Sequence, residues 1–534
     1  MRFDEQFVNI PRLALAAAER FPDLEAIVDG DLRISYPELA EEVVRSTRAA
    51  MAAGIVKGDR AAVWAPNSAE WVIAALGVLG AGGVLVTLNT RFKGGEAAYV
   101  LRKSGAKVLY TVNGFLDTDY AAMLRDALAE TGEDLPDLAR IVVLDGPAGG
   151  DDLTWEEYLT EAESVSEAEA RARIDSITGD DLADIMFTSG TTGRPKGAMS
   201  THAQNLRVYE VWSEVVGLRE GDRYLIVNPF FHGFGYKAGW FSAIMRGATI
   251  VPMPVFDVPA VLDKVQAEKI TVLPGPPTLL SGILEFPDRD DYDLSTLRLT
   301  VTGAAVVPVE LIRRLRSEMT FETIITGYGL TETTGTVSMC RYDDDPETIA
   351  TYSGRAIPDT ELRIVDEAGN EVPRGEPGEV VTRGYHLMKG YFGDAEETAA
   401  TIDADGWLHT GDIGIMDERG YIRITDRLKD MYIVGGFNAY PAEIEGILLE
   451  HEKIAQVAVV GIPDERMGEV GMAFVVPRVG ATLTADEVSG WAREHMANYK
   501  VPRLVEICDE LPVNANGKVV KYELRERGIA RTAG

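Results

Sequence analysis

Thr188-Ser-Gly-Thr-Thr-Gly-Arg-Pro-Lys-Gly197 holds three glycines, one proline, four hydroxyl residues and one lysine within ten positions. The run before it, Asp184-Ile-Met-Phe187, is short and mostly apolar and reads as a buried strand that ends in the loop. Gly190, Gly193 and Gly197 let a backbone approach an anion closely, hydroxyls and N–H groups can cradle it, and Lys196 adds charge. The stretch is a candidate phosphate cradle, although composition alone also fits a flexible, hydroxyl-rich surface loop. It departs from the common P-loop, because the glycine–lysine spacing differs and no Ser or Thr follows Lys196.

Upstream, strand and helix patterns alternate from residue 10 to about 180. Ala26-Ile-Val28, Ala61-Ala-Val-Trp64, Lys107-Val-Leu-Tyr110 and Ile141-Val-Val-Leu144 read as strands. Helices are expected after Ser35, after Pro66-Asn-Ser68, across Tyr120 to Thr131 and, as a solvated acidic face, from Ser164 to Ile174. Strands separated by helices predict α/β layers with parallel-rich sheets. The stretch Trp71 to Leu88 is uncharged, but Gly77, Gly80, Gly82 and Gly83 interrupt it; it reads as a core helix, a turn and a buried strand rather than a membrane span.

The 534 residues are 46% apolar, which is enough for several packed cores. With 52 basic and 85 acidic side chains the net charge is −33, so nucleic acid and anionic lipid are excluded as expected partners. Two cysteines, Cys340 and Cys508, form no disulfide framework, and the polar start Met1-Arg-Phe-Asp-Glu5 does not resemble a signal peptide. A reducing, cytoplasmic location is the expectation, with no stable membrane association.

Downstream, Pro229-Phe-Phe-His-Gly-Phe-Gly-Tyr236 gathers four aromatics and His232 around two glycines. By residue type this is either a core cluster with a satisfied histidine or the wall of a binding site. Lys237 is out of place beside so apolar a segment, and snorkelling to the surface accounts for it. Ile270 to Leu273 and Leu297 to Thr302 read as strands, the second ending in Gly303-Ala-Ala305, where small residues admit a flat ring or a backbone. Thr326-Gly-Tyr-Gly-Leu-Thr-Glu-Thr333, Gly406-Trp-Leu-His-Thr-Gly-Asp412, Asp426-Arg-Leu-Lys-Asp430 and Pro512-Val-Asn-Ala-Asn-Gly-Lys518 follow in that order. Residues past about 430 carry their own strands (Gln456 to Gly461, Met472 to Val476) and helices (Ile444 to His451, Ala485 to His495), and the chain after Arg525 reads as a loose tail.

Together these motifs resemble, over essentially the whole chain, the AMP-forming adenylating superfamily of acyl-CoA synthetases, luciferases and peptide-synthetase adenylation domains. The resemblance implies a large ATP- and acyl-binding domain, 1–428, and a small mobile α+β lid, 429–534, joined at a pivot, Lys429. Thr188, Ser189, Gly190, Thr191, Thr192, Gly193 and Lys196 would hold the ATP phosphates, and Gly303, Ala304 and Tyr328 the adenine. Thr331 would bond a phosphate, Glu332 would take Mg²⁺ as a hard oxygen ligand, and Asp412 and Arg427 would bind ribose. Gly435 and Gly436 would let the pantetheine arm of coenzyme A pass, and Lys518 would be the adenylation lysine. His232 would lie between the carboxylate site and the thiol tunnel, in an acyl pocket with Phe234, Tyr236, Ala305 and Gly327.

The implied reaction joins a carboxylic acid to CoA through an acyl-adenylate. No carboxylate stands in Phe231 to Tyr236 to meet a substrate ammonium, so an acid without an amine is expected, and no carrier domain follows residue 534, so free CoA is. Pro229 to Gly239, Thr271 to Thr278, the run to Met339-Cys-Arg341 and Ile424 to Tyr432 resemble the CoA ligases of bacterial steroid degradation, which act on a bicyclic propanoate. The alternatives are a general medium-chain or aryl acyl-CoA synthetase, an acyl-AMP ligase, or a nucleotide-binding regulator without the chemistry. Homodimerisation is left open.

Overall fold

Residues 1–188, 195–303, 307–427, 430–434, 437–464, 466–496, 498–513 and 519–532 are described by a computed structural model, excepting the side chains of Asp426, Arg427, Phe437, Asn438 and Thr532. Packing divides the chain into two compact units, Met1–Glu361 with Thr382–Leu408, and Leu362–Val381 with His409–Gly534. The boundary expected after residue 428 falls on residues outside the described set.

The first unit is built on a largely parallel sheet in the order Lys196–Thr201, Leu182–Thr188, Val84–Thr87, Arg60–Trp64, Ala106–Phe115, Arg140–Asp145, Leu153–Thr154. All neighbouring pairs along this path are parallel except the first, an antiparallel hairpin. A second sheet runs Arg223–Ile226, Thr249–Pro252, Glu25–Asp29, Leu32–Ser35, and a third Leu299–Thr302, Thr323–Tyr328, Ser338–Met339, Arg355–Ala356. The strand expected over Ile270 to Leu273 is reduced to bridges at Val272, which pairs with both Tyr224 and Leu299 and so joins the second and third sheets. Pro274, lacking an N–H, ends it at once.

Helix starts follow their caps. Ser35 closes a capping box with Glu38 at the head of Tyr36–Ala52, Ser68 accepts from Trp71 N–H, and Ser166 caps Glu167–Asp175 with Glu169. The uncharged stretch, Trp71 to Leu88, is all buried and covers most of the helix Ala69–Gly80 and the strand Val84–Thr87. Its glycines serve helix packing: a Cβ on Gly77 would stand 2.0 Å from Ser46 Oγ, and one on Gly80 2.1 Å from Thr47 Oγ1. Among the described residues, no helix is long and apolar enough to cross a membrane.

The second unit holds most of a sheet of Thr360–Val365, Pro377–Gly384, Leu408–Met416 and Ile422–Arg427, in that order. Its other sheet runs Phe437–Ala439, Tyr432–Val434, Gly468–Pro477, Ile454–Asp464, with Leu504–Ile507 parallel to Gly468–Pro477. Helices Pro441–Leu449 and Ala485–His495 pack Ile444, Leu448 and Val488 into one core of this α+β unit. The chain end corrects the expected loose tail. Lys521–Thr532 is a helix, because Leu524 is buried with Val460, Met472 and Phe474, while Arg527 and Arg531 both pair with Glu506.

Candidate active site

The hairpin of Leu182–Thr188 and Lys196–Thr201 sets Thr188 directly opposite Lys196, so the two ends of the candidate phosphate loop are fixed by a sheet ladder. Ser189, Gly190, Thr191, Thr192 and Gly193 lie outside the described residues. Gly197 has a packing role: a Cβ there would meet Ile185 Cγ2 at 2.6 Å and Phe187 Cζ at 3.1 Å.

Two charged side chains come together over this hairpin through a residue that the sequence reading missed. Tyr391 forms a bridge with Ala198, and neighbouring main-chain bonds (Phe392 N to Gly197 O, 2.8 Å; Met199 N to Gly390 O, 3.0 Å) hold its segment against the outgoing strand. Its hydroxyl donates to Glu332 Oε1 at 2.8 Å, and its ring centroid lies 5.4 Å from Lys196 Nζ. Burial first, and the Glu332 charge second, push the Tyr391 hydroxyl well above its ordinary pKa, which keeps it a neutral donor. Lys196 in turn pairs with Glu397, in the first turn of the short helix Ala395–Thr401. The only sequence signal for Tyr391 is its place in Lys389-Gly-Tyr-Phe-Gly393, which carries no spacing rule toward Glu332.

Glu332 sits in a 3₁₀ turn, Thr331–Thr333, after the strand Thr323–Tyr328. Thr333 pins the turn by accepting from Leu330 N–H at 2.9 Å, and Met388 N–H donates to the Glu332 carbonyl at 2.8 Å. Thr331, Glu332 and Tyr328 are all partly exposed. Glu332 is a partly exposed carboxylate whose Oε1 is held by Tyr391, and it fits Mg²⁺, which takes one or two carboxylates together with phosphate oxygens. Among the described residues no cluster of three or more His, Cys, Asp or Glu offers an all-protein metal cage.

Gly303 and Gly327 are brought together at the ends of parallel strands, a Cβ on Gly303 standing 3.5 Å from the Gly327 carbonyl oxygen. Ala304 and Ala305 lie outside the described residues. The aromatic segment forms a π-helix, Phe234–Phe241, broken at Gly239 (φ −85°, ψ −108°), which sequence periodicity did not suggest. His232 precedes it and is exposed, with Nδ1 accepting from Phe234 N–H at 3.2 Å; the alternative of a core histidine is removed. Phe234 is half-buried, edge-on to Trp212. Tyr236 is 0% exposed, stacked on Trp240 at 4.9 Å and tilted against Trp71 at 6.2 Å, so it stands behind the segment's surface.

Lys237 does not snorkel. It is 1% exposed, and its Nζ lies 2.9 Å from Asp184 Oδ1 and 3.1 Å from Ser200 Oγ. In the second unit, Asp412 is buried on Leu408–Met416, and Arg427 is its ladder partner on the adjacent strand, so the two expected ribose residues are neighbours. Lys429, Gly435, Gly436, Lys518 and the Arg427 side chain lie outside the described residues.

Residues 15–392 match the model of the AMP-binding enzyme family, and residues 443–518 match the AMP-binding enzyme C-terminal domain. The chain belongs to the AMP-binding enzyme family. It is 49% identical over 523 residues to the 3-[(3aS,4S,7aS)-7a-methyl-1,5-dioxo-octahydro-1H-inden-4-yl]propanoyl:CoA ligase of Rhodococcus jostii (strain RHA1), covering 98% of this chain and 99% of that one. The ligase of the same name from Mycobacterium tuberculosis is 46% identical over 525 residues, covering 98% and 100%. The crystal structure of the anthranilate CoA ligase AuaEII with anthranoyl-AMP superimposes with a TM-score of 0.87 at 27% identity over 100% of both chains. This member of the family is an AMP-forming acid–thiol ligase, an acyl-CoA ligase working with ATP and CoA.

Proposed function

We propose that this acyl-CoA ligase activates a bicyclic, ketone-bearing propanoate and transfers it to CoA. The observation that carries the reading is end-to-end identity of 49% and 46% to two ligases named for such an acid. The site's aromatic wall supports it. Phe234, with Tyr236 stacked on Trp240 in the same segment, gives it a rigid aromatic character that suits a fused ring better than a narrow chain.

A carboxylate is a poor acyl donor because its oxygen leaves badly. In the proposed sequence the carboxylate oxygen attacks the α-phosphorus of ATP, pyrophosphate leaves, and the acyl-adenylate carries AMP as the new leaving group. The CoA thiol then attacks the acyl carbon, the carbon–oxygen bond to AMP breaks, and the thioester forms. Thr188 and Lys196 flank the β- and γ-phosphates, Thr331 bonds a phosphate oxygen, and His232 stands at the carboxylate. Glu332 would hold Mg²⁺, whose charge offsets that building on the phosphates. Asp412 and Arg427 bind ribose, and Tyr328 faces adenine. Lys518 supplies a cation in the first half-reaction and withdraws before thiol attack, with Lys429 as pivot and Gly435 and Gly436 along the pantetheine arm. Fixed donors of this kind are each worth about 2.7–4 kcal/mol.

Product analysis tests the chemistry. With acid, ATP and CoA the expected products are the thioester, AMP and pyrophosphate, and without CoA the adenylate. Adenylate as the end product in the presence of CoA would make the protein an acyl-AMP ligase and end this reading.

A further inference from the structure

The Lys237–Asp184 pair is not explained by the reaction, and by energy alone it is a poor stabiliser. Both side chains are fully buried, and burial drives the Lys237 pKa down against the pull of Asp184. Its placement is more informative. Asp184 lies four residues before Thr188 on the strand entering the phosphate loop, and Ser200, its ladder partner, lies four residues after Lys196 on the strand leaving it. Lys237 Nζ reaches both, at 2.9 and 3.1 Å. Asn205 Nδ2 occupies the other Asp184 oxygen at 2.8 Å and ties it to Thr201 O at 3.0 Å. On the other side, Lys237 belongs to the π-helix, one residue after Tyr236 and three after Phe234, and its carbonyl accepts from Ser242 Oγ at 2.8 Å.

We infer that Lys237 is a positioning residue: its ammonium spans the Asp184–Ser200 rung and so fixes the acyl-pocket helix in register with the phosphate-loop hairpin. The inference rests on the proposed reading that the helix meets the acid and the hairpin meets ATP. Adenylation needs the carboxylate and the α-phosphorus in line, and a misplacement near 1 Å costs about 100-fold in such reactions. A buried ion pair together with a hydrogen bond to Ser200 Oγ holds that distance better than apolar packing, which tolerates sliding. The π-helix, broken at Gly239, is a segment that needs such an anchor.

The test separates position from stability. Lys237→Met leaves the Asp184 carboxylate buried without its cation and should lower the melting temperature. The double variant Asp184→Asn/Lys237→Met carries neither charge and should recover most of that loss. Acid-dependent ATP–pyrophosphate exchange is then measured on both, with whichever acid the parent enzyme uses best, so the outcome does not depend on the bicyclic assignment. The expected result is a double variant that melts near the parent, keeps its KM for ATP, and has an exchange kcat about 10- to 100-fold lower. Ser200→Ala, which removes only the contact to the outgoing strand, should lower the exchange kcat at unchanged melting temperature and serves if the double variant fails to fold. A folded variant of either kind that exchanges at the parent rate overturns the inference.

Discussion

The Tyr391 hydroxyl donates to Glu332 Oε1 at 2.8 Å, although the two residues stand 59 positions apart. Tyr391 thereby orients the carboxylate proposed to take the metal, while its ring faces Lys196. A neutral donor on a carboxylate is worth about 1.5–3 kcal/mol. Tyr391→Phe should therefore lower kcat/KM for Mg-ATP by roughly 10- to 100-fold and raise the Mg²⁺ concentration needed for half-maximal rate. A Mg²⁺ titration checks it, and an unshifted midpoint would separate Tyr391 from Glu332's role.

Lys196 is shared between its loop and Glu397. The pair is partly exposed, at 15% and 35% of the two side chains, so Glu397→Gln should change stability by less than about 1 kcal/mol. With the competing carboxylate neutralised, Lys196 is left for the ATP phosphates, and the KM for ATP should fall. Steady-state kinetics decides; a rise would mean that Glu397 positions the lysine rather than competing for it.

Two histidines set an acid limit on the first unit. His202 and His386 are buried, and burial pushes each down to about 4 from 6.5. For His202 the charge of Asp181 partly opposes this. The unfolded chain binds protons that the folded state refuses, so stability is full above about pH 6.5, falls as pH drops toward 4, and falls no further from this source below it. Each imidazole can remove up to about 3 kcal/mol. Melting temperature measured across that window should decline steeply, and more shallowly in His202→Gln.

Helix packing gives a further check. Gly77 meets Ser46 so closely that Gly77→Ala should destabilise by about 1–3 kcal/mol. Ser46→Gly in the same chain should recover part of it, as seen in denaturant midpoints; independent losses would place the strain elsewhere.

The local rules of the chain were legible where one residue decides the geometry. Ser35 and Ser68 announced their helices, the helices Tyr120–Thr131 and Ala485–His495 have the expected ends, and the acidic helix expected from Ser164 starts later, at Glu167 behind its cap Ser166. The loop ends at Thr188 and Lys196 followed from the apolar run beside a glycine-rich stretch. Features that depend on distant partners were not legible. Nothing near Lys237 names Asp184 as its counter-charge, so a surface position was the natural expectation. Tyr391 and Glu397 reach Glu332 and Lys196 only through the fold. The π-helix at Phe234 has no 3.6-residue period to betray it, and the terminal helix depends on Leu524 finding a core built mainly from earlier strands.

The proposed lysine division of labour separates the half-reactions. Lys518→Ala should abolish adenylate formation and still convert supplied acyl-adenylate and CoA to thioester at a near-parent rate. Equal loss in both assays would remove Lys518 from phosphate chemistry.

The central claim, that the acid is a bicyclic ketone-bearing propanoate, is tested most directly by comparing kcat/KM for 3-(7a-methyl-1,5-dioxo-octahydro-inden-4-yl)propanoate with that for octanoate and benzoate under the same CoA and ATP. The account predicts an advantage of at least about tenfold for the bicyclic acid, which needs only about 1.4 kcal/mol of differential transition-state binding. Octanoate or benzoate as the better substrate would contradict it.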